Sequence, residues 1–337
     1  VSLHGDILMP GLIELHTDHL EVHIQPRPKV DWHETSAVVA YDAQIAAAGI
    51  TTVFDCLRIG TDRENRDRGG ARAVRIADTI TKEAERGNLR SEHHTHLRCE
   101  ICSEDVIDAA HNFLGKHPVG IMSLMDHTPG QRQYRDVSKL REYYQGKLQL
   151  SEEQLQKFFE KRYHMHELYA VEHRSQLVEI AKTNQVTLAS HDDTTVEHVE
   201  ESKAAGAAIA EFPTTLEAAE ASRKLGISVM MGAPNLIRGG SHSGNVAASD
   251  LARDGYLDVF SSDYIPASLI MAAFALPEHS AMDLPKAIQT VTKAPAQAVG
   301  LEDRGEIAIG KRADLVRVRN DETPVVRTVW RQGQRVI

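Results

Sequence analysis

The chain has 337 residues, 42% of them hydrophobic, enough for one large domain or a domain with a small satellite. Lys and Arg number 38 against 48 Asp and Glu, a net charge of -10, which demotes a general nucleic-acid binder because that class carries a basic excess. No apolar stretch is long enough to span a membrane, and three cysteines, Cys56, Cys99 and Cys102, fit a reducing cytoplasm rather than a disulfide scaffold.

The opening Val1-Ser2-Leu3-His4-Gly5 lacks an initiator methionine and a signal-peptide pattern, and reads as the continuation of a missing N-terminal piece. From there, apolar β-branched runs at 12–15, 51–57, 94–101, 119–125, 186–190, 207–212, 228–231 and 257–261 predict strands. Helix-like segments at 37–48, 71–85, 176–183, 194–205 and 216–225 lie between them. Gly49, Gly206 and Gly226 sit just past three of these helices, where a left-handed cap is wanted. Strand–helix alternation predicts parallel strands with crossover helices, and eight repeats is the count that closes a (β/α)8 TIM barrel. An open doubly wound sheet is the alternative, but no G-x-G-x-x-G follows an early strand.

Two segments depart from the alternation. Residues 134–184 predict a long helical insertion in which Ser151-Glu152-Glu153-Gln154 forms a capping box, with His164, His166 and His173 on a solvated face. Residues 305–316 and 326–336 read as short antiparallel strands of a small β-domain. The expected organisation is a remnant of that domain at 1–8, a barrel over 9–303 and the rest of the small domain at 304–337. The lone C-x-x-C of Cys99 and Cys102 reads as strand residues rather than a zinc knuckle.

The chemistry gathers at the strand ends. His16 and Asp18 close the first strand, and alternation projects residues i and i+2 the same way. Two readings are open for that pair: a divalent metal site for zinc or manganese, or a polar strand end in which His16 hydrogen-bonds Asp18. The later strands end in Glu100, in Asp126 and His127, in His191, Asp192 and Asp193, in Glu211, and in Asp263. Each alone is an ordinary loop residue; together they converge on the end of a barrel that holds active sites. Cations and amides share that rim: Arg27 and Lys29, Arg58, then Gln131, Arg132 and Arg135. The loop 235–245 adds Asn235, Arg238, Ser241, His242, Ser243 and Asn245 with three glycines, a composition that lets backbone N–H groups approach a phosphate. A flexible surface loop is the plain alternative.

These residues resemble the metal-dependent amidohydrolase superfamily, which ends strand 1 in H-x-H, takes further ligands from later strands and ends strand 8 in an Asp beside the metal. Gly310-Lys311-Arg312-Ala313-Asp314-Leu315-Val316 is similar to the entry of its small β-sandwich domain, which that superfamily builds from both chain ends. Within the superfamily, Leu15-His16-Thr17-Asp18, residues 26–32, Leu97-Arg98-Cys99-Glu100, residues 123–133, Ala189-Ser190-His191-Asp192-Asp193, residues 231–245 and Ser261-Ser262-Asp263-Tyr264 resemble the branch that serves phosphonate breakdown, over essentially the whole chain. The departures from the wider pattern are H-x-D for H-x-H, no strand-4 lysine to be carbamylated, and Glu211 where a His is usual. Glu100 then stands as the bridging carboxylate, as in the deacetylase branch.

The resemblance implies a cytoplasmic hydrolase that cuts a ribosyl triphosphate bearing a 1-methylphosphonate to its 5-phosphate and pyrophosphate. It implies one or two divalent ions, zinc before manganese or iron, on His16, Asp18, Glu100, His191, Asp263 and His127. Asp263 would orient water and take its proton, while Arg27, Lys29, Arg132, Asn235, Arg238, Ser241, His242, Ser243 and Asn245 would hold the phosphates. A homodimer and functional association with other proteins of the carbon–phosphorus lyase pathway complete the expectation, with no nucleic-acid or membrane partner. Hydrolysis of a cyclic amide and a non-catalytic subunit role are the competing readings. The basic rim opposes the first, and the strand-end carboxylates oppose the second.

Overall fold

Leu12–Thr17 (β2) begins an eight-stranded parallel sheet in which each strand pairs with the next in sequence order. The others are Ile50–Ile59 (β3), Glu92–Glu100 (β4), Ile121–Met125 (β5), Thr187–His191 (β6), Ile209–Glu211 (β7), Ser228–Gly232 (β8) and Val259–Ser261 (β9). Ile7–Pro10 (β1), Leu315–Asn320 (β10), Pro324–Arg331 (β11) and Gln334–Arg335 (β12) form a separate four-stranded antiparallel sheet from both ends of the chain. The structure, a computed structural model, describes residues 3–28, 30–60, 70–132, 151–241 and 243–337.

The first and last barrel strands do not share a continuous ladder. They meet in a single parallel bridge between Thr17 and Asp263, where Asp18 N donates to Asp263 O at 2.9 Å and Asp263 N to His16 O at 3.1 Å. Lower down the seam, residues 290 and 291 fill in, accepting from Phe260 N and Ile13 N. The architecture is therefore the predicted (β/α)8 barrel, with the small sheet added from the chain ends.

Side-chain parity explains what each strand contributes. Phe54, Ile121, Ala189, Ile209, Met230 and Val259 pack together inside the barrel, with Ala296 of the helix Lys293–Ala298 beneath them. Their neighbours, such as Leu57, Leu97, Met122, Leu188, Val229 and Phe260, face the surrounding helices. Moving two residues along the inward row from Ala189 reaches His191, and from Ile209 reaches Glu211. The row in β4 is polar throughout: Glu92, His94, His96, Arg98 and Glu100. β2 breaks the parity. Ile13 and Leu15 belong to the inner core, yet the His16 ring also faces inward against His96, His191 and Phe212, and the β2–β3 ladder shifts register between Glu14 and Thr17. This irregularity, rather than plain alternation, delivers His16.

The predicted caps are present: Gly49, Gly206 and Gly226 adopt φ of 90°, 88° and 72°. Ser151 opens the helix Glu152–Thr183 with a complete capping box, while 133–150 lie outside the described residues. Three expectations are corrected. Only His164 of the three insertion histidines is exposed; His173 is buried with Nδ1 on Ile101 O at 2.9 Å, and His166 is half-buried against Asp126 at 2.9 Å. No strand forms over 301–314, because Arg304 and Arg312 hold that stretch as a loop against Glu92. Cys99 lies in β4, but Cys102 lies in the turn beyond it.

Candidate active site

At the C-terminal mouth of the barrel lies a cavity of about 620 Å³, the size of a small-molecule site. Three strand ends build its rim in a similar way. The residue after β6, the residue after β7 and the second residue after β9 turn into the left-handed region: Asp192 at φ 58°, Phe212 at 55° and Asp263 at 54°. Each of the three still donates its N–H to the next strand round the barrel, Asp192 to Glu211 O, Phe212 to Met230 O and Asp263 to His16 O. Non-glycine residues enter this region at a cost on the order of 1 kcal/mol, and such strain gathers at functional sites where the surroundings enforce it.

Glu211 is the hub. Its two oxygens reach His16 Nδ1 at 3.2 Å and His191 Nδ1 at 2.9 Å, and all three side chains are buried. Burial opposes the Glu211 charge, but the surrounding imidazoles hold its carboxyl well below the usual range. Desolvation, with Arg98 adding to it, drives His191 down to about 3, so its ring is neutral. His96 is likewise pushed down to about 4 by burial, and it bonds Leu15 O and Ser123 Oγ.

Asp18 forms the second centre. Arg98 Nη1 donates to both its oxygens, at 2.7 and 2.8 Å, and this attraction outweighs burial to hold Asp18 at about 2. Asp192 goes the opposite way: burial, with the Glu211 charge behind it, lifts its carboxyl to about 8. Glu14 rises to about 7 through burial while its oxygens accept from His16 N and Ser262 N, tying β2 to β9.

The donor chemistry fits a divalent ion. Ligand atoms of His16, His191 and Glu211 lie within 4.8 Å of one another, and so do those of His16, Asp18 and Asp263, and of His127, His191 and Asp192. Two imidazoles and a carboxylate beside a cavity match the donors that zinc takes in catalytic sites, although the neighbouring Glu211 charge favours a proton on His16 that an ion would have to replace.

The structure therefore gathers His16, Asp18, His127, His191 and Asp263 of the sequence-predicted ligands at the cavity wall. Glu100 lies behind the wall, held by Arg58 Nη2 at 2.7 Å and His127 Nδ1 at 2.6 Å. Asp126 faces away, bonded to His166 and Thr128 N.

Among the phosphate candidates, Asn235, Arg238, Ser241, Ser243 and Asn245 line the cavity. Asn235 is also the clasp of its loop, donating to Val246 O at 3.1 Å and accepting from Ala248 N at 2.9 Å. Arg132 is buried elsewhere, paired with Asp193 and with Glu201 at 2.8 Å, and Arg27 is exposed away from the wall. Lys29, Arg135 and His242 lie outside the described residues. The sequence reading passed over Arg98, although the alternation that brings Glu100 inward brings Arg98 with it.

A parallel barrel whose strand ends hold this histidine–carboxylate cluster is the class of metal-dependent hydrolases. The amidohydrolase family model matches residues 115–337, and the chain belongs to that family. It is 49% identical over 335 residues to the alpha-D-ribose 1-methylphosphonate 5-triphosphate diphosphatase of Escherichia coli (strain K12), spanning 98% of this chain and 88% of that protein. Solved structures share the fold: N-acetylglucosamine-6-phosphate deacetylase from Thermotoga maritima has a TM-score of 0.58 at 14% identity, covering 98% of this chain and 89% of its own. Dihydropyrimidinase from Brevibacillus agri has a TM-score of 0.58 at 12% identity, covering 100% of this chain and 86% of its own.

Proposed function

We propose that the chain hydrolyses alpha-D-ribose 1-methylphosphonate 5-triphosphate to the 5-phosphate and pyrophosphate, in the carbon–phosphorus lyase pathway of phosphonate breakdown. The observation that carries this reading is the 49% identity along nearly the whole chain to the enzyme of that name. The cavity supports it chemically. A triphosphate carries about four negative charges, so its hydrolysis rests on charge neutralisation and a positioned nucleophile. Arg58, Arg98 and Arg238 supply fixed positive charge at the wall, and Ser241, Ser243 and Asn245 supply neutral donors. A cyclic amide would make no use of Arg238 and the neutral donors of this loop.

The metal is zinc, and His16, His191 and Glu211 would hold it, with Asp263 close by His16. Such an ion supplies charge neutralisation and acidifies water held beside it. Asp263 orients the attacking water and takes its proton, with the Thr17 bridge fixing its backbone. The barrel unit spans 9–303, and the small β unit comprises 1–8 and 304–337, with β1 crossing the first boundary. The enzyme is a cytoplasmic homodimer that works with other proteins of its pathway. Three free, buried thiols suit a reducing compartment, and no helix among the described residues is long and apolar enough to cross a membrane.

Phosphorus NMR of the zinc-loaded protein with the ribosyl triphosphate, with and without chelator, tests the reaction. Chelator-sensitive formation of pyrophosphate and a 5-phosphomonoester is expected. Orthophosphate release would mean attack at the terminal phosphorus, and no turnover would overturn the reading.

A further inference from the structure

Arg98 stands where the donor groups around His16 meet. It is on the inward row of β4, two residues before Glu100, and it walls the cavity. One nitrogen, Nη1, is shared by both oxygens of Asp18; Nη2 lies 3.5 Å from His191 Nε2; and Nε is buried with no hydrogen-bond partner. A guanidinium has five N–H donors in a rigid plane, and a buried donor without a partner costs about 1–3 kcal/mol. Asp18 occupies only one side of that plane. The Nε and Nη2 donors form the other edge, spaced to meet two oxygens of one phosphate side by side.

The same contact bears on the metal. An ion bound through Asp18 would have to share the carboxylate oxygens that Arg98 already holds and sit beside a buried permanent cation. An ion among His16, His191 and Glu211 shares no carboxylate oxygen with Arg98. The H-x-D at the end of β2 thus exchanges an imidazole for a carboxylate, whose charge and two oxygens can anchor an arginine.

We propose that Arg98 is a fixed cation of this site: anchored by Asp18, it takes the place of a second metal ion and offers its Nε–Nη2 edge to the phosphates. The phosphate half rests on the substrate reading above; the metal half does not. Arg98 binds and positions the anhydride, Asp18 is a positioning residue that acts through it, and the chain holds one ion.

Two measurements on the full chain separate the halves. Zinc content after equilibrium dialysis should be one ion per chain for the wild type and for Asp18→Asn, and close to none for Glu211→Gln. Two ions in the wild type, or loss of zinc in Asp18→Asn, overturns the metal half. Calorimetry with pyrophosphate on the zinc-loaded protein should show Arg98→Met weakened by roughly 10- to 100-fold, with Arg98→Lys between it and the wild type. The KM for the ribosyl triphosphate should rise in parallel, and zinc content should stay unchanged in both variants. Unchanged pyrophosphate affinity in Arg98→Met overturns the phosphate half. A wild type that neither binds pyrophosphate nor cleaves the ribosyl triphosphate overturns the substrate reading with it, while the zinc count still decides what Arg98 replaces.

Discussion

The two ends of the barrel are both rich in buried charge, and they use it differently. At the N-terminal end, Glu92 meets Arg304 at 3.0 Å and also Arg312, and Arg312 continues to Asp314 at 2.5 Å at the edge of the small sheet. Beside it, His93 lies between Asp55 at 2.8 Å and Asp42 at 3.2 Å; Tyr41 caps Asp55, and Arg90 N and Ser91 N cap Asp42. Among the described residues, no buried side-chain atom of these networks lacks a partner. At the mouth, Arg98 Nε is buried without one on a residue that walls the cavity. Closed networks hold elements together; open valence is kept where a ligand completes it.

That contrast can be broken from either side. The largest expected effect is at the mouth: Asp263→Asn, which keeps the left-handed backbone asparagine tolerates, should lower kcat on the order of a thousandfold with the melting temperature nearly unchanged. Steady-state kinetics beside a thermal melt would check it, and normal turnover would remove Asp263 as the base. At the other end, His93→Leu leaves two buried carboxylates without their shared imidazole and should cost roughly 3–5 kcal/mol in urea unfolding, with kcat of the folded fraction intact.

The pH dependence sharpens the same point. Burial works against the His93 charge, but the Asp55 and Asp42 carboxylates hold its pKa up at about 9 against an ordinary 6.5. Its stabilisation is therefore complete below about 6.5 and is lost as pH rises through about 9. Urea midpoints at pH 6 and pH 9.5 should differ in the wild type, and the His93 share of that difference should vanish in His93→Leu. A smaller loss, about 2 kcal/mol, is expected from Arg304→Met, because Glu92 keeps Arg312 and His94. Least of all, Lys157→Ala on the exposed helix face, whose partner Glu153 is equally exposed, should change stability by less than about 0.5 kcal/mol.

Much of this architecture was legible because each inward row repeats every two residues. The strand 94–101 was recognised from its apolar outer row, and Glu100 from its place at the end. What escaped was that the inner row of β4 is polar from end to end, so that His96 and Arg98 belong to the site as much as Glu100 does. An alternating strand is ordinarily read with its apolar side inward. In β4 the apolar side meets the helices and the polar side the barrel axis. The 134–184 insertion misled for a related reason: helical period shows which residues share a face, but not that Ile101 O and Asp126 would wait there for His173 and His166. Arg132 looked like a rim cation by position, and only the fold reveals that Asp193 and Glu201 had already claimed it.

The single bridge between Thr17 and Asp263 joins the barrel's seam to its chemistry. Since the residue proposed to accept the proton also zips the first strand to the last, anything that steadies Asp263 steadies the closure of the whole cylinder. Occupancy of the mouth should then be legible in the backbone: the amides of Asp18 and Asp263 should exchange with deuterium more slowly when pyrophosphate is bound. The seam becomes a reporter that counts bound molecules without any chromophore, labelled substrate or turnover.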